Sequence, residues 1–168
     1  GHRNFIVVGG GVAGLQWGIL LEGVDNTSYA ILERNHRIGE FWDTFPRGRH
    51  LISVNKRYVG EDKSEEFALR HDWNSLLYAK HKMKEFSEEF YPNAGDLAKY
   101  MRNISAGQVS EIYTDRTVVE SSYDGRVHAV RLQDVLGRGV DHRVEVRGGH
   151  DDVGEPQGHR LLRLQARP

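Results

Sequence analysis

The sequence predicts an α/β domain of three layers with a parallel sheet and a small antiparallel β-meander. Three observations predict this. A short apolar run near the start passes through closely spaced glycines into a helical pattern, and a second apolar run then ends in a carboxylate. A strongly periodic helix lies near residue 100. Strand-like pieces with an Asp-Gly turn follow it.

Length and composition allow this class. The 168 residues fit one domain of ordinary size, and 38% hydrophobic with 28% charged residues reads as globular. A formal net charge of −1 provides no global field for nucleic acid or an anionic membrane, and no apolar run approaches the roughly 20 residues of a membrane span. No charged-then-apolar leader is readable. With no cysteine, disulfides and thiolate chemistry are excluded within this chain. The nine histidines have no metal-ligand spacing, so no metal is expected.

Residues 5–8 (FIVV) have the β-branched, apolar character of a strand in a parallel sheet. Gly9, Gly11 and Gly14 then form G-x-G-x-x-G. Gly9 would make the tight turn, Gly11 would let backbone approach a pyrophosphate, and Gly14 would let the next helix lie close on the strand. That helix is expected over residues 12–22, with the amides at its start, those of Val12 and Ala13, facing the phosphates. Residues 29–32 (YAIL) read as the second strand, and Glu33 ends it about 20 residues beyond the glycines. A carboxylate there can accept both ribose hydroxyls of an adenosine and would repel a 2′-phosphate. The alternative is a glycine turn in an unrelated α/β domain with Glu33 merely solvated. The fingerprint alone serves NAD and FAD equally.

The choice between them comes from resemblance. An acid followed by a basic residue (Glu33-Arg34) and then a glycine-aromatic turn (residues 38–42, IGEFW) resembles the flavin-containing monooxygenase-like flavoproteins. Residues 46–60 (PRGRHLISVNKRYVG), 70–77 (RHDWNSLL) and 90–98 (FYPNAGDLA) sharpen the likeness. They resemble one group of those flavoproteins, found in the endoplasmic reticulum and associated with the degradation of misfolded proteins. The resemblance runs over residues 4–119. It implies a Rossmann-like FAD-binding fold, with NADPH bound by a second fold of which this chain has no trace. It also implies that Gly39 and Trp42 lie against the flavin half, although Glu40 replaces the turn's usual second glycine. Asn55 would lie near the isoalloxazine, and the backbone of Val118 would meet the adenine. For Trp42 an ordinary core position is the alternative, and for Asn55 a turn. The alanine-threonine-glycine turn that closes the FAD site in this family is not found before Pro168.

The remaining elements follow from local signals. Residues 51–59 have strand character, with Lys56 and Arg57 expected in water. Asp72 is read as the cap of a helix start, and residues 80–90 as an amphipathic surface helix. Asp96 reads as an N-cap, with Leu97, Tyr100, Met101 and Ile104 as the buried stripe of a helix ending near Gly107. Strands are expected over residues 109–113, 117–121 and 126–133, with Asp124-Gly125 as a hairpin turn. From Gly137 onward Lys, Asn, Ile and aromatic residues are absent, so residues 137–168 are expected as a poorly ordered tail. A truncated or frame-shifted reading and a solvated extension both explain that tail. Residues 1–136 would be an incomplete FAD-binding domain.

The function expected is that of an FAD-binding flavoprotein, by resemblance an NADPH-dependent, monooxygenase-like oxidoreductase. The implied place is the endoplasmic reticulum lumen, or otherwise the cytoplasm, and the implied partners are degradation factors. This chain alone is expected to be inactive. An NAD-binding dehydrogenase domain and a non-catalytic, truncated binding partner are the alternatives.

Overall fold

The fold is that of a computed structural model, which describes residues 2–57, 67, 71–124, 127–134 and 139–147. The elements in chain order are β1 (His2–Arg3), β2 (Phe5–Val8), α1 (Val12–Glu22), β3 (Tyr29–Leu32), α2 (Phe41–Thr44), a 3₁₀ turn (Met83–Glu85), α3 (Ala94–Gln108), β4 (Ile112–Tyr113), β5 (Thr117–Tyr123), β6 (Val127–Gln133) and β7 (Gly139–Arg147). The bounds expected for β2, α1 and β3 agree with these.

Three layers form, as expected. The middle layer is a parallel sheet in the order β2-β3-β4. The outer β layer is the meander β5-β6-β7, antiparallel throughout, with β1 added in parallel to β7. β3 divides its side chains by the strand period of two. Tyr29 and Ile31 enter the larger core with Leu15 and Ile19 of α1 and Leu97, Tyr100, Met101 and Ile104 of α3. Ala30 and Leu32 enter a smaller core with Ile6, Val118, Val130 and Leu132 beneath the meander. All four β3 residues are buried, which is why YAIL has no polar alternation.

Several expectations are corrected here. α3 starts at Ala94, and its N-cap is Asn93, whose side chain accepts the Gly95 N–H at 2.8 Å. Asp96 instead pairs with Lys99 inside the first turn, at 3.1 Å. Residues 51–57 form no strand: the Leu51 and Asn55 N–H groups donate to Pro92 and Phe90, and the pairing reduces to one bridge between His50 and Asn93. Asp72 caps no helix. Its carboxylate accepts from the Asn74 N–H and the Ser75 hydroxyl within a turn. Residues 80–90 contribute only the 3₁₀ turn, because their amides are spent elsewhere: Lys80 N–H on Gln108, and Met83 N–H on Ser75. Met83 is fully buried and Phe86 packs on the core, so this segment is no surface helix. Arg57 is not free in water but reaches Glu88. Gly139–Arg147, inside the expected tail, forms β7, where valines at 140, 144 and 146 favour extended backbone. Gly125 of the hairpin turn and residues 148–168 lie outside the described residues.

One carboxylate ties the helical layer to the sheet. Glu22 Oε1, at the end of α1, accepts from the Tyr29 hydroxyl at 2.5 Å and from the N–H and hydroxyl of Ser110, each at 2.6 Å. Burial alone would raise the Glu22 carboxyl, but the Ser110 hydroxyl, the Tyr29 hydroxyl and the Ser110 N–H together hold it below its ordinary value. Burial, and then this carboxylate, push Tyr29 up to about 12. A depressed carboxyl contributes stability that is present above its unfolded pKa and lost as pH falls through the folded one. Glu22→Gln should therefore lower stability at neutral pH by about 1 kcal/mol or less, since Glu22 is partly in water. It should also flatten the acid limb of stability against pH. Chemical denaturation at neutral and acid pH measures both, and parallel wild-type and variant limbs would remove Glu22 from this role.

Candidate functional site

The site begins where β2 stops. Gly9 has a φ of +100°, a backbone that a side chain would strain, and its N–H donates to Leu32 at 2.8 Å. Gly11 precedes α1 as its N-cap with no side-chain cap, and the first turn of α1 carries no acidic residue. The amides of Val12 and Ala13 therefore open a helix whose positive end has no carboxylate of its own. A Cβ built on Gly11 would meet nothing within 4 Å, whereas one on Gly14 would lie 1.9 Å from the Gly9 carbonyl oxygen. The first glycine faces open space and the second allows close helix-strand contact, the division of tasks its spacing predicts.

Glu33 joins this loop to the sheet. Its side chain is buried, Oε2 accepts the Gly10 N–H at 2.7 Å, and Oε1 accepts the Asn35 N–H at 2.8 Å. A Cβ on Gly10 would meet Ile38 Cδ1 at 2.3 Å and Glu33 Cβ at 3.2 Å, so the turn after β3 rests directly on the glycine loop. The Glu33 carbonyl accepts the Arg116 N–H at 2.9 Å, and the Asn35 carbonyl accepts the Asp115 N–H at 3.1 Å. These bonds bring the start of β5, and with it Val118, to the end of β3. The structure thus brings Gly9, Gly11, Val12, Ala13, Gly14, Glu33 and the approach to Val118 to one end of the parallel sheet. Arg34 is exposed beside them.

The other expected residues stand on separate supports. Gly39, at φ +70°, is buried against Met101 and Ala98 of α3. Trp42 packs on the larger core, so its aromatic body faces protein, and exposed Phe41 and Phe45 flank it. Asn55 is buried, with Nδ2 donating to the Ser87 carbonyl at 2.7 Å and Oδ1 left without a partner. An open pocket of about 630 Å³ between His50, Leu51, Ile52 and Tyr91 lies along the same two segments. Sequence reasoning missed Gly10, Asn35 and Ile38, which shape the loop, and Arg49 and Arg102, which brace the turn that follows. Gly10 was signalled only as the middle of three consecutive glycines, and Ile38 and Arg49 only as members of the quoted segments 38–42 and 46–60.

The family model for pyridine nucleotide-disulphide oxidoreductases matches residues 6–133. Over 102 residues the chain is 40% identical to the FAD-dependent oxidoreductase domain-containing protein 2 of Mus musculus, covering 60% of this chain and 15% of that protein. The Danio rerio protein of the same name is 44% identical over 101 residues, covering 59% and 14%. This chain therefore matches only about a seventh of the length of these relatives. Among solved structures, the flavin-containing monooxygenase from Stenotrophomonas maltophilia superposes with a TM-score of 0.63 at 21% identity, over 87% of this chain and 36% of that one. The FAD-bound cadaverine monooxygenase from Erwinia amylovora superposes with a TM-score of 0.57 at 17% identity, over 88% and 34%. At these identities the shared property is the fold.

The two bare glycines should separate by stability. Gly14→Ala drives a methyl into the Gly9 carbonyl and should cost about 2–3 kcal/mol. Gly11→Ala meets nothing and should stay within about 1 kcal/mol of wild type. Denaturant melts of the two variants test this, and equal losses would contradict the assigned tasks.

Proposed function

We propose that this chain, which belongs to the pyridine nucleotide-disulphide oxidoreductase family, is the FAD-binding portion of a flavin-dependent oxidoreductase. The observation that carries the proposal is the bare Gly11 at the uncapped start of α1, beside a Glu33 carboxylate already anchored by the Gly10 N–H. Backbone amides and a positive helix end suit a pyrophosphate, and a fixed carboxylate suits ribose hydroxyls. Glu33 spends one lone-pair direction of each oxygen on backbone, which leaves a second direction on each for a hydroxyl. A 2′-phosphate in that place would meet like charge.

FAD fits better than NAD because of the far end. Among the described residues the buried Oδ1 of Asn55 is an acceptor without a donor, and an open pocket of about 630 Å³ lies between His50, Leu51, Ile52 and Tyr91 of the neighbouring segments. The ring imide of a flavin offers such a donor. When bound, the flavin supplies the redox centre. The chain's own residues bind the pyrophosphate, orient the ribose and position the ring edge, and electrostatics and geometry are the protein's share in such chemistry.

Three finer readings rest on the sequence resemblance alone. NADPH would serve as reductant in a longer protein, on a second dinucleotide fold; the setting would be the endoplasmic reticulum; and the partners would be degradation factors. A polypeptide of these 168 residues tested by itself should not oxidise NADPH, because hydride transfer needs the nicotinamide held against the flavin and the described residues carry one glycine fingerprint. The purified chain mixed with FAD and NADPH in a stopped-flow spectrometer tests this, and bleaching of the flavin band at turnover rates would refute it.

Two variants test the binding site itself. Gly11→Val should fold and lose dinucleotide binding, because the side chain fills the approach to the phosphate. Glu33→Ala should weaken ADP and FAD equally, by about 1.5–3 kcal/mol, the loss of charge-assisted ribose bonds. Isothermal titration calorimetry reads both. Unchanged FAD affinity in either folded variant would remove the loop from the site.

A further inference from the structure

Two stretches of the chain read Asn-X-Ser with X other than proline: Asn26-Thr27-Ser28 and Asn103-Ile104-Ser105. This is the acceptor pattern for an N-linked oligosaccharide, which is attached to the Asn side-chain amide. The attached group is bulky and hydrophilic, so a folded chain carries it only where the Asn stands clear of its neighbours. The fold separates the two positions on that ground.

Asn26 lies in the turn between α1 and β3, with Val24 and Asp25 exposed beside it. Its φ is +57°, a left-handed conformation that Asn accepts more readily than most residues with a side chain. The turn is pinned on its far side by Ser28, whose N–H and hydroxyl both donate to Asn4 Oδ1, at 2.8 and 2.9 Å. The Asn26 side-chain amide makes no hydrogen bond among the described residues, so a group placed on it displaces none. Glu33 and the glycine loop stand at the other end of β3, about 13 Å of strand away. Asn103 is placed differently. It lies inside α3 next to fully buried Ile104, and it lines a cleft of about 230 Å³ with Lys80 and His81. That cleft is bridged by the Lys80 N–H, which donates to Gln108 at 2.8 Å, and by Lys80 Nζ, which donates to the Gly107 carbonyl at 3.3 Å. A sugar chain on Asn103 would press against the loop that these bonds hold to the helix.

We propose that Asn26, rather than Asn103, is the acceptor of an N-linked oligosaccharide when the chain is in the lumen of the endoplasmic reticulum. Its relevance in the cell rests on the compartment reading above. The donor is a lipid-pyrophosphate-linked oligosaccharide, and the transferase is that of the lumen. Asn26 Nδ2 bonds to the anomeric carbon of the donor, and the bond from that carbon to the phosphate oxygen breaks. The lipid pyrophosphate leaves with the electron pair, and one amide proton passes to solvent.

The whole chain is made behind a cleavable secretory leader in eukaryotic cells, recovered as soluble folded protein, and run on a gel with and without endoglycosidase. The leader delivers the chain to the lumen whatever its native compartment, so this arm tests the acceptor alone. Wild type and Asn103→Gln should each lose the mass of one glycan on digestion. Asn26→Asp should lose none. Aspartate accepts the left-handed φ, so this variant removes the acceptor nitrogen with the turn preserved. Undigested mass in wild type, a digestible glycan lost only in Asn103→Gln, or two glycans on the soluble wild type would overturn the assignment. Protein isolated from the cells that naturally make it then tests the compartment. A native chain without a digestible glycan, beside a modified one behind the leader, would remove the endoplasmic reticulum reading and leave Asn26 as the acceptor.

Discussion

The site depends on one buried carboxylate. Glu33 sits at the end of the central strand, and removing a charge from water is costly unless donors meet it. Here they do: Gly10 and Asn35 each present an N–H, at 2.7 and 2.8 Å. The backbone of the same residue is held from two further directions, its N–H by Tyr113 and its carbonyl by Arg116. The glycine loop, β3, β4 and the entry to β5 therefore meet at one residue. Displacing Glu33 would leave four polar groups without partners, a stronger constraint than any single apolar contact.

Local signals carried the part of the chain where local forces decide. In β2, α1 and β3, the apolar run, the glycine spacing and the terminal acid all point to one geometry, and their bounds could be read residue by residue. The stripe of α3 was legible for the same reason, since Leu97, Tyr100, Met101 and Ile104 repeat at helical spacing and are all buried. Its cap was not. Asp96 and Asn93 are both good caps, and the choice fell to long-range bonds on either side of Asn93: the Ala94 N–H donates to the Arg49 carbonyl, and the Pro92 carbonyl accepts the Leu51 N–H.

Between residues 50 and 93 the sequence misled, for a physical cause. The described residues of this stretch lend their polar groups to α3, to α1 and to one another across long separations in the chain. Leu76 N–H donates to the Tyr100 hydroxyl, Leu77 exchanges two bonds with Gln16, and Asn55 spans to Ser87. Periodicity cannot report such bonds, so amphipathic spacing over residues 80–90 suggested a helix where Met83 is instead an anchor. Trp42 illustrates the same limit. An aromatic after a glycine turn signals a ring near the site, but only tertiary packing decides which of three neighbouring aromatics enters the core.

A difference follows between the two ends of the proposed ligand. The adenosine end would be held mostly by residues 9–33, with glycines whose shape leaves little freedom, and by β5 joined to Glu33 through the Arg116 N–H. The ring end depends on Arg49, Arg102 and the Asn55–Ser87 bond, each joining segments far apart in the chain. Arg102 donates from α3 to the Ile38 carbonyl at 3.1 Å and also binds Asp43, so the turn carrying Phe41 is held only while α3 stays docked. Local opening is easiest where few buried contacts and exposed bonds hold a segment. Such opening of the bracing loops would loosen the ring end first, with the glycine loop and Glu33 still in place. On the proposed reading, selection of a flavin over a bare adenosine nucleotide would be a property of the long-range packing, and capture of the adenosine end one of the first strand, turn and helix.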